Sequence, residues 1–387
     1  MKVLYFSFIT LSLSLLTACT AGSSTGSDKI PSLRIEEFFD VPELDELSGK
    51  IRVVNVFRPE FTDSSMFDSP QILHIADGKA YLHEGKYMTT FSYPDGKLLS
   101  AFNHYGAGPE DYQYSYYAYY TPEAGDTWTV LNVNIGVYKI MQYDADGRFR
   151  RSVTNDTVEV LAPLSDGGWL GFNPSYSLNG GFHKVRDKVI THYSPDWKDL
   201  GSTTLKSRRW SVGATDIMDF LTVYDGQVYT TDADTVLRFD LKAGEFVPAI
   251  ALLEGKYFFD WSTPTDTKEI SAAEADHLSP LRPVFNSRYA FITYYWGPWP
   301  DNITRSDVYD LSTGRLVFRK ELPRKENEML TRGLPVEVDG HTLSAWPVKF
   351  VTDDHFFALV SAEEMSTVTG TDNVNPVILE IAIESDK

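Results

Sequence analysis

The sequence predicts an all-β fold, a six-bladed β-propeller of four-stranded antiparallel blades that forms a single domain over residues 33–387. Three observations support this prediction. From residue 50 onward, short runs of β-branched and aromatic residues alternate with turn residues, which is the all-β pattern. One strand-and-turn element recurs six times. A second element recurs at a spacing near fifty residues, which suits one four-stranded blade per unit.

The first recurring element is a turn containing Asp, Asn or Gly, followed by an apolar strand. These residues supply the backbone freedom that tight hairpins require. The six copies begin at Asp77, Asp126, Asp166, Asp225, Asn286 and Asp353. Six copies predict six blades.

The second recurring element is an aromatic residue at a strand end, then a short turn with Gly or Asp, then another strand. Its anchors lie 50, 50, 46 and 70 residues apart, at Tyr93, Tyr143, Tyr193, Phe239 and Tyr309. In a propeller each blade buries its faces against its neighbours, so we expect bulky aromatic residues between blades. The alternative is a pair of β-sandwiches, which would show no fifty-residue register.

The longest step between anchors predicts an insertion. Ser271 and Glu274 have the spacing of a capping box, so we expect a short helix at about 271–278, between two blades. The run 51–57 has no partner before it, and 376–383 is the last predicted strand. We expect one of these strands to complete the blade that the other begins, which would close the ring.

The N-terminus predicts export. The apolar stretch 3–16 follows Lys2 and is too short for a membrane span, but it suits a secretory signal. It ends in Leu16-Thr17-Ala18-Cys19, and Cys19 is the only cysteine of the chain. This resembles the bacterial lipobox, which implies a lipoprotein signal peptide at 1–18 and a lipidated Cys19. The alternative is an ordinary signal peptide in which the cysteine occurs by chance.

Residues 19–32 are rich in small polar residues and predict a lipid-anchored flexible tether. Several acyl chains would hold the protein on a membrane more firmly than one. By analogy with lipoprotein sorting, Thr20 in place of aspartate favours the outer membrane. No acidic cluster directly follows Cys19, which favours the periplasmic face over the cell surface.

The composition argues against several classes of function. The formal net charge is −19, and an acidic surface repels phosphate backbones, so no nucleic-acid partner is predicted. The eight histidines are scattered and show no metal-binding spacing, so no metal site is predicted. Neither a Gly-x-Ser-x-Gly elbow nor a phosphate-binding GxxxxGK[ST] loop occurs. We therefore predict no catalytic residue and no cofactor.

The stretch GAGPEDYQYSYYAYY, residues 106–120, places six tyrosines between Tyr112 and Tyr120. Side chains alternate along a strand, so tyrosines would occupy both of its faces. Such a strand suits packing between neighbouring blades, with phenol groups reaching water at the rim. The alternative is a ligand surface at the mouth of the channel, with Tyr116 as a candidate residue.

The turn at the start of this stretch, Gly106-Ala107-Gly108-Pro109-Glu110-Asp111-Tyr112, resembles a known motif. A Gly-x-Gly-Pro-Gly-Glu-Tyr/Phe turn lies between two blades in six-bladed β-propeller lipoproteins of Bacteroidetes, often labelled TolB-like or BF3164-like. Glu110-Asp111 replaces Gly-Glu here, so the third glycine is lost and the acidic side chain is one carbon shorter. With the lipobox and the repeats, the resemblance covers essentially the whole chain. It implies the fold and the envelope location, but no activity, because this fold hosts many functions.

A second aromatic stretch is a further candidate ligand site. YYWGPWPDN, residues 294–302, sets Tyr294, Trp296 and Trp299 around a Gly-Pro turn. Exposed aromatic residues on a loop commonly stack on sugar rings or bind a peptide. The alternative is a loop that folds back over the helical insertion, with its aromatic residues buried.

The sequence therefore favours a lipid-anchored binding or assembly module without catalytic chemistry, whose ligand is a glycan, a peptide or a partner protein. One alternative is an envelope hydrolase or lyase that acts on carbohydrate in the central channel. Another is a purely structural lipoprotein. The side chains that line the channel distinguish these hypotheses, because an enzyme needs converging acidic or basic groups there.

We predict that Cys19→Ser releases the protein from membranes, because the thiol is the proposed acylation site. Fractionation of cells that express each form measures this directly. Membrane-bound protein in the Cys19→Ser strain would contradict the lipobox prediction.

Overall fold

The computed structural model describes residues 30–384, except 114, 123, 135–136, 156–157, 180–181, 207–220, 233, 262, 265, 280, 299–300, 324–332 and 370–374. The described chain forms six antiparallel sheets of four or five strands, which confirms the predicted six-bladed propeller. The signal peptide, Cys19 and most of the tether lie outside the described residues. None of the described helices has the length and hydropathy that a transmembrane helix requires.

Each of the first three blades is a simple meander, in which the first strand is innermost. Blade 1 contains β4 (Gln71–Ala76), β5 (Lys79–Glu84), β6 (Tyr87–Ser92) and β7 (Leu98–Phe102). Blade 2 contains β8 (Ser115–Thr121), β9 (Thr127–Asn134), β10 (Val137–Tyr143) and β11 (Phe149–Asn155). Blade 3 contains β12 (Val160–Pro163), β13 (Trp169–Asn179), β14 (Phe182–Tyr193) and β15 (Asp199–Lys206).

The other three blades each gain a strand from the N-terminal segment, which supplies β1 (Ser32–Leu33), β2 (Leu44–Asp45) and β3 (Ile51–Phe57). Blade 4 contains β16 (Thr222–Tyr224), β17 (Gln227–Asp232), β18 (Thr235–Asp240), β19 (Glu245–Leu252) and β1. Blade 5 contains β20 (Val284–Phe285), β21 (Tyr289–Trp296), β22 (Ile303–Asp310), β23 (Arg315–Pro323) and β2. Blade 6 contains β26 (Pro347–Val351), β27 (His355–Val360), β28 (Val377–Ile383) and β3.

Both recurring sequence elements fall at equivalent places in the blades. The first element is the turn between the first and second strands in all six blades. At Asp77 and Asp225 this turn has φ of 51° and 46°, a conformation that Asp and Gly tolerate better than other residues. The aromatic anchor of the second element lies at the end of the third strand in blades 1 to 5. The recurring turn residues and aromatic anchors therefore indicated the positions of the blades correctly.

The ring closes as predicted, through the first and last long strands. β3 pairs antiparallel with β28, from Ile51 opposite Ile383 to Phe57 opposite Ile378. Blade 6 is thus built from both ends of the described chain. The pairing of β3 with β28 stabilises the ring, because opening the ring requires breaking all the backbone hydrogen bonds between these two strands.

The N-terminal segment also fastens blades 4 and 5, which the sequence did not indicate. We call residues 32–45 the strap. β1 pairs parallel with β19, helix α1 (Ile35–Phe38) follows, and β2 pairs antiparallel with β23. The strap therefore adds an outer strand to two adjacent blades before the chain enters blade 6.

A buried guanidinium holds the strap in place. Arg319 on β23 makes a bidentate ion pair with Asp307 on β22, at 2.8 Å and 2.6 Å, and both side chains are fully buried. Its Nη1 also donates to the backbone carbonyls of Phe38, Phe39 and Val41, at 2.9 to 3.0 Å. A buried charge of this kind is tolerated only when its hydrogen bonds are satisfied, and here strap and blade satisfy them together.

The predicted helical insertion is present between blades 4 and 5, but it begins earlier than expected. Helix α2 spans Thr267–Asp276, after a 3-10 turn at Gly255–Tyr257. The side chain of Asp266 caps it by accepting hydrogen bonds from the backbone amides of Lys268 and Glu269. The predicted cap, Ser271, lies inside the helix.

Two further elements were not expected from the sequence. A hairpin of β24 (Leu334–Val338) and β25 (His341–Ala345) precedes the first strand of blade 6. Helix α3 (Ala362–Thr369) lies between β27 and β28 of the same blade. Both are additions to the regular four-stranded unit, so the fifty-residue repeat could not indicate them.

The hydrophobic core consists of separate clusters that each join neighbouring blades. Between blades 1 and 2, Tyr81 stacks on Tyr120 with ring centroids 3.5 Å apart, beside the buried Trp128. Between blades 2 and 3, Trp169 packs with Leu131 and partly buried tyrosines. The largest cluster joins the strap with blades 4, 5 and 6. Rings are thus buried between blades, as the repeat predicted.

We predict that Arg319→Met lowers the free energy of unfolding by about 3–5 kcal/mol, because it leaves the buried Asp307 carboxylate unpaired. The double variant Arg319→Met/Asp307→Leu should cost less than the single one, since no charge then remains buried. Urea unfolding followed by circular dichroism measures both.

The matched control for this prediction is Arg315→Met, on the same strand. Arg315 is half exposed and makes a surface ion pair with Glu46, at 3.4 Å. Its loss should cost less than about 1 kcal/mol. Equal effects of Arg315→Met and Arg319→Met would show that the buried pair does not fasten the strap.

Candidate functional site

The innermost strands of the blades surround a central cavity of about 790 Å³. Its volume falls within the range of about 300–1,000 Å³ that is typical of small-molecule sites. Strands β4, β8, β12, β16 and β26 supply most of its wall. The cavity therefore occupies the channel in which propeller ligands commonly bind.

The middle of the cavity wall is apolar. Each inner strand presents aliphatic or aromatic side chains, and several are only half buried although they line the centre of the molecule. These half-buried residues include Ile72, Leu73, Tyr117, Val223, Val348, Phe350 and Leu359. Apolar surface left accessible in an enclosed site favours an apolar ligand group.

Two carboxylates lie toward one end of the cavity, at the turns between first and second strands. Asp225 and Asp353 both line it there. Tyr224 donates a hydrogen bond from its hydroxyl to Asp353 Oδ1. Burial raises the pKa of Tyr224, and this hydrogen bond adds to the effect, so the phenol stays protonated beside the carboxylate.

One histidine lines the cavity as well. His74 on β4 lies beside the stacked pair Tyr81 and Tyr120, with ring centroids 6.1 Å and 5.9 Å away. Among the residues that the structure describes, no three His, Cys, Asp or Glu side chains are grouped closely enough to hold a metal ion. The polar groups of the wall can orient a ligand by hydrogen bonds and charge.

The turn at residues 106–112, which we call the glycine-rich turn, lies in the connection between blades 1 and 2. It is held by its own hydrogen bonds. Gly106 N donates to Tyr112 O at 3.1 Å, and Tyr112 N donates to His104 O at 3.0 Å. Asp111 Oδ2 accepts a hydrogen bond from Gly108 N at 2.7 Å. The hydroxyl of Tyr112 donates to Lys86 O in blade 1. The turn is therefore a rigid link that joins the two blades.

The same carboxylate explains why glycine occupies two positions of the turn. A Cβ added to Gly106 would lie 2.3 Å from Asp111 Oδ2, and one added to Gly108 would lie 2.7 Å from it. Asp111 thus fills the space above both glycines. The acidic residue and the two glycines form one packing unit, and Pro109 starts the return of the chain toward Asp111.

The tyrosines after this turn mostly serve packing between blades. Tyr112 and Tyr120 are buried against blade 1, and burial raises the pKa of Tyr112 to about 12. The hydroxyl of Tyr119 accepts a hydrogen bond from Leu161 N in blade 3, at 3.1 Å. Tyr116 lies on β8, but its side chain is outside the described residues. Its role as a ligand residue stays a prediction.

The aromatic stretch 294–302 contributes to the core near the strap. Tyr294 is buried and its hydroxyl donates to Asp307 Oδ2 at 2.9 Å, within the Arg319 ion pair. Trp296 packs edge-on against Phe39 of the strap and Tyr257, with centroids 4.6 Å and 5.4 Å away. Trp299 lies outside the described residues. The structure thus does not bring Tyr294 and Trp296 to the central cavity.

The fold and the cavity together define a six-bladed β-propeller with an apolar central channel. No family model and no curated protein matches the sequence. A Bacteroides fragilis protein described as exported is similar in structure, with a TM-score of 0.63 at 12% identity, over 92% of this chain and 100% of its own. A duf4221 family member from Bacteroides vulgatus has a TM-score of 0.44 at 9% identity, over 87% of this chain and 99% of its own. At this identity, the first comparison supports the fold over nearly the whole chain.

We predict that Gly106→Ala lowers the free energy of unfolding by about 1–2 kcal/mol, because the new Cβ displaces the Asp111 carboxylate from Gly108 N. In an Asp111→Ala background the same change should be neutral or slightly stabilising, since alanine restricts the unfolded chain. A double-mutant cycle from urea unfolding measures the coupling. Equal costs in the two backgrounds would contradict the packing unit.

Proposed function

We propose that this chain is a non-catalytic binding module of the bacterial cell envelope, and that its central cavity binds an apolar peptide segment with a basic residue at one end. The main observation in support of this proposal is the ring of half-buried apolar side chains around a cavity of about 790 Å³. Apolar side chains provide most of the wall, so many of the hydroxyls of a glycan would face apolar groups there. A partner protein would be bound through such a segment.

Charge supports the basic end of the proposed segment. Asp225 and Asp353 line one end of the cavity, and the whole chain carries a net charge of −19. A lysine or arginine of the ligand would find carboxylates at this end while its apolar neighbours fill the middle. The negative field would also speed the approach of a basic ligand.

The lipobox-like ending at Cys19 and the similarity to a Bacteroides protein described as exported support the envelope location in this proposal. We propose attachment to the outer membrane through acylated Cys19, on its periplasmic face. We also propose membership of the TolB-like or BF3164-like propeller lipoproteins, because the turn 106–112 keeps its two glycines, proline, acid and tyrosine.

The alternative of a hydrolase or lyase would have to use Asp225, Asp353 and His74, the acidic and imidazole groups of the cavity wall. The hydrogen bond from Tyr224 occupies one oxygen of Asp353. We favour binding over catalysis because the apolar side chains provide most of the wall.

Selection of a phage-displayed random heptapeptide library on the full chain tests this proposal. We expect enriched peptides that combine apolar residues with lysine or arginine. Val223→Arg places a bulky cation in the cavity wall and should weaken their binding by at least about tenfold, through lost apolar contact and charge repulsion.

Leu200→Arg is the matched control, because Leu200 is 52% exposed on β15, the outer strand of blade 3. It should leave peptide binding unchanged. The proposal fails if no such peptides are enriched, or if Val223→Arg binds them as tightly as the control does.

A further inference from the structure

A second cavity, of about 470 Å³, lies between blades 1 and 2 beside the glycine-rich turn. We call it the crevice. Blade 1 contributes the start of β4 and the turn between β5 and β6, and blade 2 contributes the start of β8. Residues on both sides of the glycine-rich turn complete it. Its lining consists of Ser69, Gln71, His83, Glu84, Gly85, Lys86, Tyr105, Gln113 and Ser115.

Tyr105, directly before the glycine-rich turn, has an exposed ring at the crevice. Tyr105 forms a bridge with Tyr112, and its backbone amide donates to Asn103 Oδ1 at 2.7 Å. Its position is therefore fixed at the backbone, yet its side chain is 57% exposed. An exposed aromatic ring at the mouth of a polar cavity provides a flat face on which a partly apolar ligand can stack.

A buried histidine lies at the other side of the crevice. The Ser115 hydroxyl donates to Gly85 O, and its oxygen lies 3.3 Å from His83 Nε2. The side chain is 2% exposed, and Nδ1 has no partner among the described residues.

The electrostatics of the crevice favour a neutral ligand with hydroxyl groups. Burial lowers the pKa of His83 to about 4, so the imidazole is neutral near pH 7. Glu84 and Lys86 contribute one charge of each sign. Gln71 and Gln113 add amides that both donate and accept hydrogen bonds. Hydroxyl groups also do both.

We infer that the crevice is a saccharide-binding site, in which the face of a neutral sugar ring lies on Tyr105 and its hydroxyls bond to Gln71 and Gln113. This site is additional to the central cavity and to the proposed peptide. The two cavities share Ser69 and Gln71 in their walls, so their occupants would be neighbours.

A peptide that binds by strand addition needs unpaired main-chain groups at an exposed strand edge. Two main-chain amides at the crevice are already bonded to side chains. Ser69 N donates to Glu84 Oε1 at 2.9 Å, and Gln113 N donates to Asn132 Oδ1 at 3.2 Å. The crevice offers a ligand side-chain amides and a phenol ring.

A glycan array that carries neutral and acidic oligosaccharides, probed with the full chain in a detergent without a sugar headgroup, tests the inference. We expect neutral oligosaccharides to bind, and calorimetry with one of them in solution gives its Kd. Tyr105→Ala should weaken that binding by at least about tenfold. Because Tyr105 is exposed, its loss should leave the unfolding midpoint unchanged.

Three further variants test whether the sugar lies in the crevice. Gln113→Ala and Gln71→Ala should also weaken saccharide binding, whereas Leu200→Ala should not. Val223→Arg should leave saccharide binding intact while it weakens peptide binding, so the two proposals fail separately. Binding of no oligosaccharide on the array, binding that Tyr105→Ala leaves unchanged, or capture of peptides by the crevice would each overturn the inference.

Discussion

No blade of this protein can bury both faces of its sheet alone, and the rest of the structure depends on that constraint. Each hydrophobic cluster joins residues from at least two neighbouring blades, as the stacked Tyr81 and Tyr120 do. A line of such units would leave apolar faces at its two ends, so the ring has to close. The pairing of β3 with β28 provides that closure with backbone hydrogen bonds. The central cavity is a result of the same geometry, because six inner strands arranged in a ring leave space between them.

One buried cation, Arg319, holds the strap against blade 5. Arg319 bonds to three backbone carbonyls of the strap and to Asp307 within blade 5. Carbonyl groups belong to every residue, so the strap sequence carries no side-chain signature of this contact. The network is polar within a large apolar cluster, and it fixes the strap in one position at a cost in desolvation. Trp296 and Tyr257 then pack around Phe39 of the strap.

The sequence predicted the blades well because their turns need particular residues. Asp, Asn or Gly marks the first turn of each blade, and these turns identified the number of units. In blades 1 to 4 the turn contains a residue with positive φ, a conformation that few other residues adopt. The start of α2 was misplaced because Asp266, rather than Ser271, has the geometry to accept from the first free amides. The cavity lining and the crevice could not be predicted, because they depend on which side of each short inner strand faces the channel. Nor did the sequence distinguish the buried Tyr294 from the exposed Tyr105.

Pairing between β3 and β28 also constrains the biogenesis of the protein. The chain is synthesised amino end first, so β3 is made before any blade and its partner β28 after all the other blade strands. Until then β3 is an unpaired edge, and unpaired edges promote association between chains. Blade 6 is therefore completed last, and a nascent chain truncated before residue 377 would leave an open arc.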